Sequence, residues 1–295
     1  MIPCLKAINM QSCDYEKEIV VVDSQSLDNT IDIARNYRAR IVKINAQEFT
    51  HGRARNMGAS VSKGNYLVFC NQDAVPANAN WLQNLILPLY RKSIAGSYSR
   101  QIAPAGVPRS ESLFLQRYYP RESRINTQYT LSNRPEDFVL FSTVSAALRR
   151  DMWDKFKFNE KIIMSEDQEI AYRILLSGYR IAYASESVVL HGHSYSLPNA
   201  FKRYFDSGWS MRSIPQIAPQ NPAGNLHFFV SMWKDIVSDN DASILSRASG
   251  IMHLVAKSFG FGLGQFAPYM PATLRSRLSH TMSVTYAPVK RQEIA

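Results

Sequence analysis

A chain of 295 residues with 45% apolar side chains can fill the core of one large domain, or of one domain with a helical extension. Its formal net charge of +10 implies an anionic partner: nucleic acid, a phosphorylated substrate or a membrane surface. Three widely spaced cysteines, Cys4, Cys13 and Cys70, exclude a disulfide framework and a zinc pattern, and the absence of any run of about 18 apolar residues predicts no membrane span.

The opening MIPCLKAINMQSC lacks the basic-then-apolar start of a secretory leader, so a cytoplasmic location is expected. Leu5 and Ile8, at helical spacing, predict a short helix over 3–12. The run from Ile19 to Val22 predicts a strand buried on both faces. It ends in a polar loop, Asp23-Ser24-Gln25-Ser26-Leu27-Asp28. A helix near 28–37 follows, with Asp28 as its cap. Then come a strand at Ala39–Ile44, a helix at Gly52–Ser62 and a strand at Tyr66–Cys70. This alternation predicts a parallel, doubly wound sheet.

Trp81–Lys92 reads as a helix broken by Pro88, and Ile94–Ser99 as an edge strand. Residues 100–137 mix Arg100, Arg109, Arg117, Arg121 and Arg124 with Phe114, Tyr118, Tyr119, Tyr129 and several prolines. They are expected to form an irregular segment over a crevice. Phe138–Leu148 returns to strand-like sequence. A helix opens at Ser165 and stops at Gly178; Arg180–Ala184 and Ser187–Leu190 are two short strands. Beyond Leu197 the pattern is helical and amphipathic. The tail from Lys257 to Arg291 mixes aromatic and aliphatic residues with Arg275, Arg277, Lys290 and Arg291. Such a segment suits an interfacial helix at an anionic membrane, or simply caps a core.

Polar residues just beyond strand ends carry the candidate chemistry, because open α/β sheets bind ligands there. Asp73, in Asn71-Gln72-Asp73, is a candidate cation ligand, since a hard divalent ion prefers oxygen; the alternative is a turn residue. Asp23 is a candidate nucleotide contact, with the same alternative. Arg53 and Arg55 sit in the first turn of a helix, against its dipole, which favours an anionic partner. Glu166 and Asp167 form part of a capping box, Ser165-x-x-Gln168, or supply a general base. His191 and His193 alternate, so a continued strand would turn both to one face as metal or diphosphate ligands.

Six segments in order resemble the family 2 glycosyltransferases of GT-A fold, and within them bacterial rhamnosyltransferases of surface-polysaccharide assembly. They are EIVVVDSQSLDNTIDIA, FTHGRARNMGA, GNYLVFCNQDAVPANANWL, FSTVSAALRRDMW, FNEKIIMSEDQEIAYRILLSGYRIAYASESVVLHGHSYS and AFKRYFDSGWS. The resemblance implies a mostly parallel, Rossmann-like sheet in a domain over residues 1–197, followed by a basic helical region over 198–295. It also implies that the family's usual first strand is missing. By the same resemblance Asp23, Ser24, Arg55, Asn71 and Asp73 bind the nucleotide side of the donor. Asp73 with His191 or His193 approaches Mg²⁺ or Mn²⁺, Asp167 is the catalytic base, and Glu166 is its neighbour. Asn71 stands where the family's Asp-x-Asp motif has its first carboxylate. The implied activity is inverting transfer of a sugar, expected to be rhamnose, from dTDP-rhamnose or a UDP-sugar to a glycan or lipid-linked hydroxyl, at the inner face of the cytoplasmic membrane. The alternative is an inactive glycan-binding or interaction module. Nucleic acid is not an expected partner, because no nucleic-acid module accompanies the charge.

Overall fold

The computed structural model of the chain describes residues 1–133, 141–213 and 222–281. After α1 (Ile2–Asn9), β1 (Val20–Asp23) and β2 (Arg40–Lys43) pair in parallel through the crossover helix α2 (Thr30–Asn36). The β-branched run of β1 forms as expected, but it is not buried on both faces. Val20, Val21 and Val22 are half-buried and only Asp23 is covered. The reason is topological: β1 and β2 form a separate two-stranded sheet. Among the described residues, the edge of β1 away from β2 pairs with no strand.

Helix α3 (His51–Val61) leads into a six-stranded sheet of β3 (Tyr66–Cys70), β4 (Val75–Pro76), β5 (Ile94–Ile102), β6 (Arg124–Asn126), β7 (Ser145–Arg149) and β8 (Arg180–Leu190). Its order is β3-β7-β5-β8-β4, with β6 also paired to β8. The sheet is mixed rather than mostly parallel. β5 and β8 run parallel, and β7 inserts antiparallel between β3 and β5. β3, β5 and β8 therefore share one direction, which is the part the strand–helix alternation encodes. β4 and β6 oppose β8. The inserted β7 is made of small residues, with Ser145, Ala146 and Ala147 buried, so two strands can close on it. The two strands expected between Arg180 and Leu190 are one, its register against β5 shifting between Ser99 and Arg100.

The expected irregular segment 100–137 contains α5 (Arg109–Tyr118), β6 and α6 (Gln128–Asn133). Pro108 caps α5 and does not interrupt it, a position proline tolerates. Leu115 and Tyr119 enter the main core, while Arg117 pairs with Asp235 at 2.6 Å and Arg109 with Asp239 at 2.7 Å. Leu115, Arg109 and Arg117 of this stretch thus serve packing. The strand expected from Phe138 starts at Ser145; residues 134–140 lie outside the described set. α4 (Trp81–Ile86) passes into a 3₁₀ turn at Pro88. α7 (Arg150–Phe156) and α8 (Glu166–Leu176) complete this part, Ile170, Ile174 and Leu175 of α8 being fully buried.

Among the described residues α9 (Leu197–Ser213), α10 (Pro222–Val237), α11 (Ile244–Gly264) and α12 (Ala272–Leu278) follow. α9 and α11 cross at backbone contact. A methyl group on Gly260 or Gly264 would overlap the carbonyl oxygen of Phe201 or Phe205, and one on Gly208 would overlap that of Phe261. Gly264→Val is therefore expected to destabilise the fold by about 3 kcal/mol or more, read as a lowered midpoint in urea. An unchanged midpoint would mean the crossing gives way freely. Lys290 and Arg291, expected in the basic tail, lie outside the described residues.

Candidate active site

Two groups of residues face each other across the segment that precedes β7. The first holds the carboxylates. Asp167 opens α8 and accepts hydrogen bonds from the Thr143 backbone N–H at 3.1 Å and its hydroxyl at 3.2 Å. Glu166 is buried against Arg55 of α3 in a close ion pair. The capping box is absent. Ser165 adopts a left-handed conformation, φ 65°, and makes no side-chain cap, while Gln168 donates to the Phe141 carbonyl at 3.0 Å. Asp167 is thus held both by Thr143 and by its own helix, whose Gln168 N–H donates to Asp167 Oδ1 at 2.9 Å, while Glu166 is held by its tertiary partner Arg55.

Burial pushes the Asp167 carboxyl up to about 6, helped by the neighbouring Glu166 charge and opposed by Arg55. A carboxylate that titrates there is ionised at neutral pH yet basic enough to take a proton. Replacing Arg55 by Met would leave Glu166 a buried, unpaired charge, at a cost of about 3–5 kcal/mol. It would also remove the cation that lowers Asp167. The midpoint of the pH–rate profile should therefore move above about 6; a midpoint that stays or falls would separate Arg55 from the base.

The second group is Asp73, His191 and His193, each offering one ligand atom, all within 4.8 Å of one another. Asp73 closes the turn after β3, where the Ala74 N–H reaches back to the Asn71 carbonyl at 3.0 Å. Its Oδ2 lies 3.8 Å from His191 Nε2 and 4.0 Å from His193 Nδ1. The strand expected to carry both histidines ends at Leu190. They still meet, ring edge to ring face, with centroids 4.6 Å apart. Desolvation pushes His191 down to about 4 and lowers His193 too, so both imidazoles are neutral at physiological pH, the form that can ligate a metal.

The donor set fits a divalent cation. His191 Nδ1 lies 2.8 Å from Gln101 Oε1, and that amide donates its own N–H groups to the Tyr119 hydroxyl at 2.6 Å and to Ser142 Oγ at 3.0 Å. An amide oxygen only accepts, so the proton sits on Nδ1 and Nε2 keeps a bare lone pair. That Nε2 is buried without a hydrogen-bond partner. A second partner that fixes the tautomer is the usual support of a metal-binding histidine.

Three consecutive residues join the two groups. Ser142 holds Gln101 and through it His191, Thr143 holds Asp167, and the Val144 carbonyl accepts the Asn71 N–H at 3.0 Å. Burial lowers His51, to about 4, and His193 as well, and the positive charge of Arg203 on α9 acts on each in the same direction. Sequence reading missed Gln101, Ser142, Thr143, His51 and Arg203, and named Tyr119 only among the aromatic residues of the segment 100–137. Two further expected residues lie at the turn after β1. Asp23 is buried with its carboxylate accepting the N–H groups of Gln25 and Ser26, the turn role that was the alternative for it. Ser24 belongs to the same turn.

The sequence profile of the family described as glycosyl transferase family 2 matches residues 1–156. The O-antigen chain rhamnosyltransferase WbaN of Salmonella anatum is 31% identical over 259 residues, covering 86% of this chain and 81% of its own. The O-antigen chain rhamnosyltransferase RfbN of Salmonella typhimurium is 29% identical, covering 90% of this chain and 86% of its own. Among solved structures, a mannosyltransferase from Pyrobaculum calidifontis in complex with GDP-Man and Mn²⁺ superposes with a TM-score of 0.55 at 17% identity, over 95% of this chain and 80% of that one. S. aureus TarS in complex with UDP-GlcNAc gives 0.54 at 18% identity, over 93% of this chain and 73% of that one. Likeness at that identity shows the fold alone, which is GT-A with a C-terminal helical part.

Proposed function

The chain belongs to glycosyl transferase family 2, and from that premise we propose that it is an inverting rhamnosyltransferase of surface-polysaccharide assembly, working in the cytoplasm on a lipid-linked glycan. The donor sugar follows from the relatives named as O-antigen rhamnosyltransferases, and dTDP-rhamnose is the donor we assign. The observation that carries the reading is the joining of a proton-accepting Asp167 to the Asp73–His191–His193 set through residues 142–144.

In this mechanism Asp167 takes the proton of an acceptor hydroxyl. The freed oxygen bonds to the anomeric carbon on the face opposite the diphosphate, and the carbon–oxygen bond to the diphosphate breaks with inversion. Asp73, His191 and His193 would hold a divalent cation, which would offset the charge of the departing diphosphate. Two imidazole nitrogens favour Mn²⁺ over Mg²⁺, which prefers an all-oxygen shell. Arg203 adds a fixed positive charge beside both groups. Arg55, Asn71 and the Asp23–Ser24 turn form the nucleotide side in this reading. Calorimetry with dTDP and MnCl₂ tests the site, and NMR of the product from dTDP-rhamnose tests the inversion. Absence of binding at millimolar dTDP would leave only the glycan-binding alternative.

A further inference from the structure

Helix α11 has two unlike faces. Its inner face is locked. Gly260 and Gly264 press on the backbone of α9. His253 Nε2 lies 2.9 Å from the Tyr195 carbonyl and its Nδ1 2.9 Å from that of Ser249. Lys257 pairs with Glu111 at 2.7 Å over the rings of Phe114 and Tyr204. Arg247, the other charged residue of the helix, donates to the Ala242 and Val237 carbonyls. Both charges are therefore turned towards the protein, and the helix cannot roll without breaking the glycine crossing.

At 3.6 residues per turn the opposite face carries Leu245, Met252, Val255 and Phe259, and Phe266 continues the line just past the helix end. These five are 83%, 52%, 47%, 65% and 61% exposed. The stripe runs about 20 Å between Leu245 and Phe259 and includes no charged residue. A contiguous apolar surface of this kind on a folded chain marks a contact.

We propose that the outward face of α11 lies in the surface of an anionic membrane, a surface that rests on the transferase reading above and brings its site to a lipid-borne acceptor. The charge supports a lipid. The chain carries +10, α12 directly beyond the stripe has no acidic residue in its first turn and an exposed Arg277 in its last, and Tyr269, between the stripe and α12, is 76% exposed. An apolar stripe with aromatic and basic borders is the composition of an interfacial helix. The five residues of the stripe carry no hydrogen-bonding side chain, as suits contact with the acyl region of a lipid surface. Among the described residues no helix is long and apolar enough to cross a membrane, so the contact is lateral. The same helix seats Tyr195, whose ring stacks on His193 at 4.8 Å, so the docking face and the cation ligands belong to one rigid unit.

Co-sedimentation of the full chain with vesicles tests the proposal, using phosphatidylethanolamine with about a quarter phosphatidylglycerol against neutral phosphatidylcholine. The parent chain should sediment with the anionic vesicles. The double variant Met252→Ser, Phe259→Ser should bind them at least about tenfold more weakly, with dTDP affinity and melting temperature unchanged. Arg277→Gln should weaken binding and flatten its salt dependence. Equal binding by the double variant overturns the proposal. So does a parent dimer, seen by sedimentation velocity, that the double variant dissolves without any vesicle binding. A failed transferase reading shows up separately, as lost dTDP binding with vesicle binding intact.

Discussion

Asp167→Asn is expected to lower sugar transfer by about 10²–10⁴-fold while dTDP and Mn²⁺ bind as before. Asparagine keeps the shape and can still meet Thr143, but it cannot take a proton. In the parent, the rate should rise with pH through about 6 and level off above it, because only the ionised carboxylate accepts. The same substitution should reveal what the site costs the fold. The folded carboxyl titrates near 6, against an ordinary value of 3.8. Its contribution to stability is thus fully present below about 3.8 and lost as pH rises through about 6. Above that, ionisation favours the unfolded chain. Asn carries no such penalty, so the variant should melt higher than the parent at pH 7 and gain little at pH 4. Undiminished turnover, or an equal change in melting temperature at both pH values, would overturn the assignment.

How much of this site can be read from sequence depends on the range of the interactions that set it. Asp73 and Asp167 are legible because strand ends and helix starts are local features, and the strand at Tyr66–Cys70 and the helix from Glu166 form where the apolar pattern puts them. The function of Ser165-x-x-Gln168 is not legible locally. The motif has the composition of a cap, yet Gln168 finds Phe141 and Asp167 finds Thr143, partners 27 and 24 residues away. Gln101 is hidden for a related reason. A glutamine near the end of a long strand looks like a solvent-facing residue, and only the pairing of β5 with β8 sets it beside His191, 90 residues on. The direction of β7 is equally silent, because its buried, small-residue run serves either direction equally well. α5 was obscured by composition: prolines and arginines around it resemble a loop until the arginines find Asp235 and Asp239. The turn at Asp23 shows the opposite case, in which the hydrogen bonds that the local sequence predicts are the ones the side chain makes.

The cation set gives the second large effect. His191→Ala should reduce Mn²⁺ affinity by more than the roughly 10–100-fold expected of an outer partner, since it removes one of the three proposed ligands and the most buried of them. Gln101 decides whether that ligand is correctly protonated. With Leu at position 101 the His191 Nδ1 proton loses its acceptor at 2.8 Å, and the imidazole is free to carry its proton on Nε2 instead, where it blocks coordination. A loss of about 10–100-fold in Mn²⁺ affinity is expected, the usual scale for an outer partner of a ligating histidine. Gln101→Glu separates tautomer control from packing. A carboxylate still accepts from Nδ1 and keeps Nε2 bare, so Mn²⁺ affinity should be retained although Tyr119 and Ser142 must then act as donors. Calorimetric titration with MnCl₂, with no donor sugar present, reads all three variants directly. Leu and Glu behaving alike, in either direction, would show that Gln101 acts through packing and not through the proton it holds on His191.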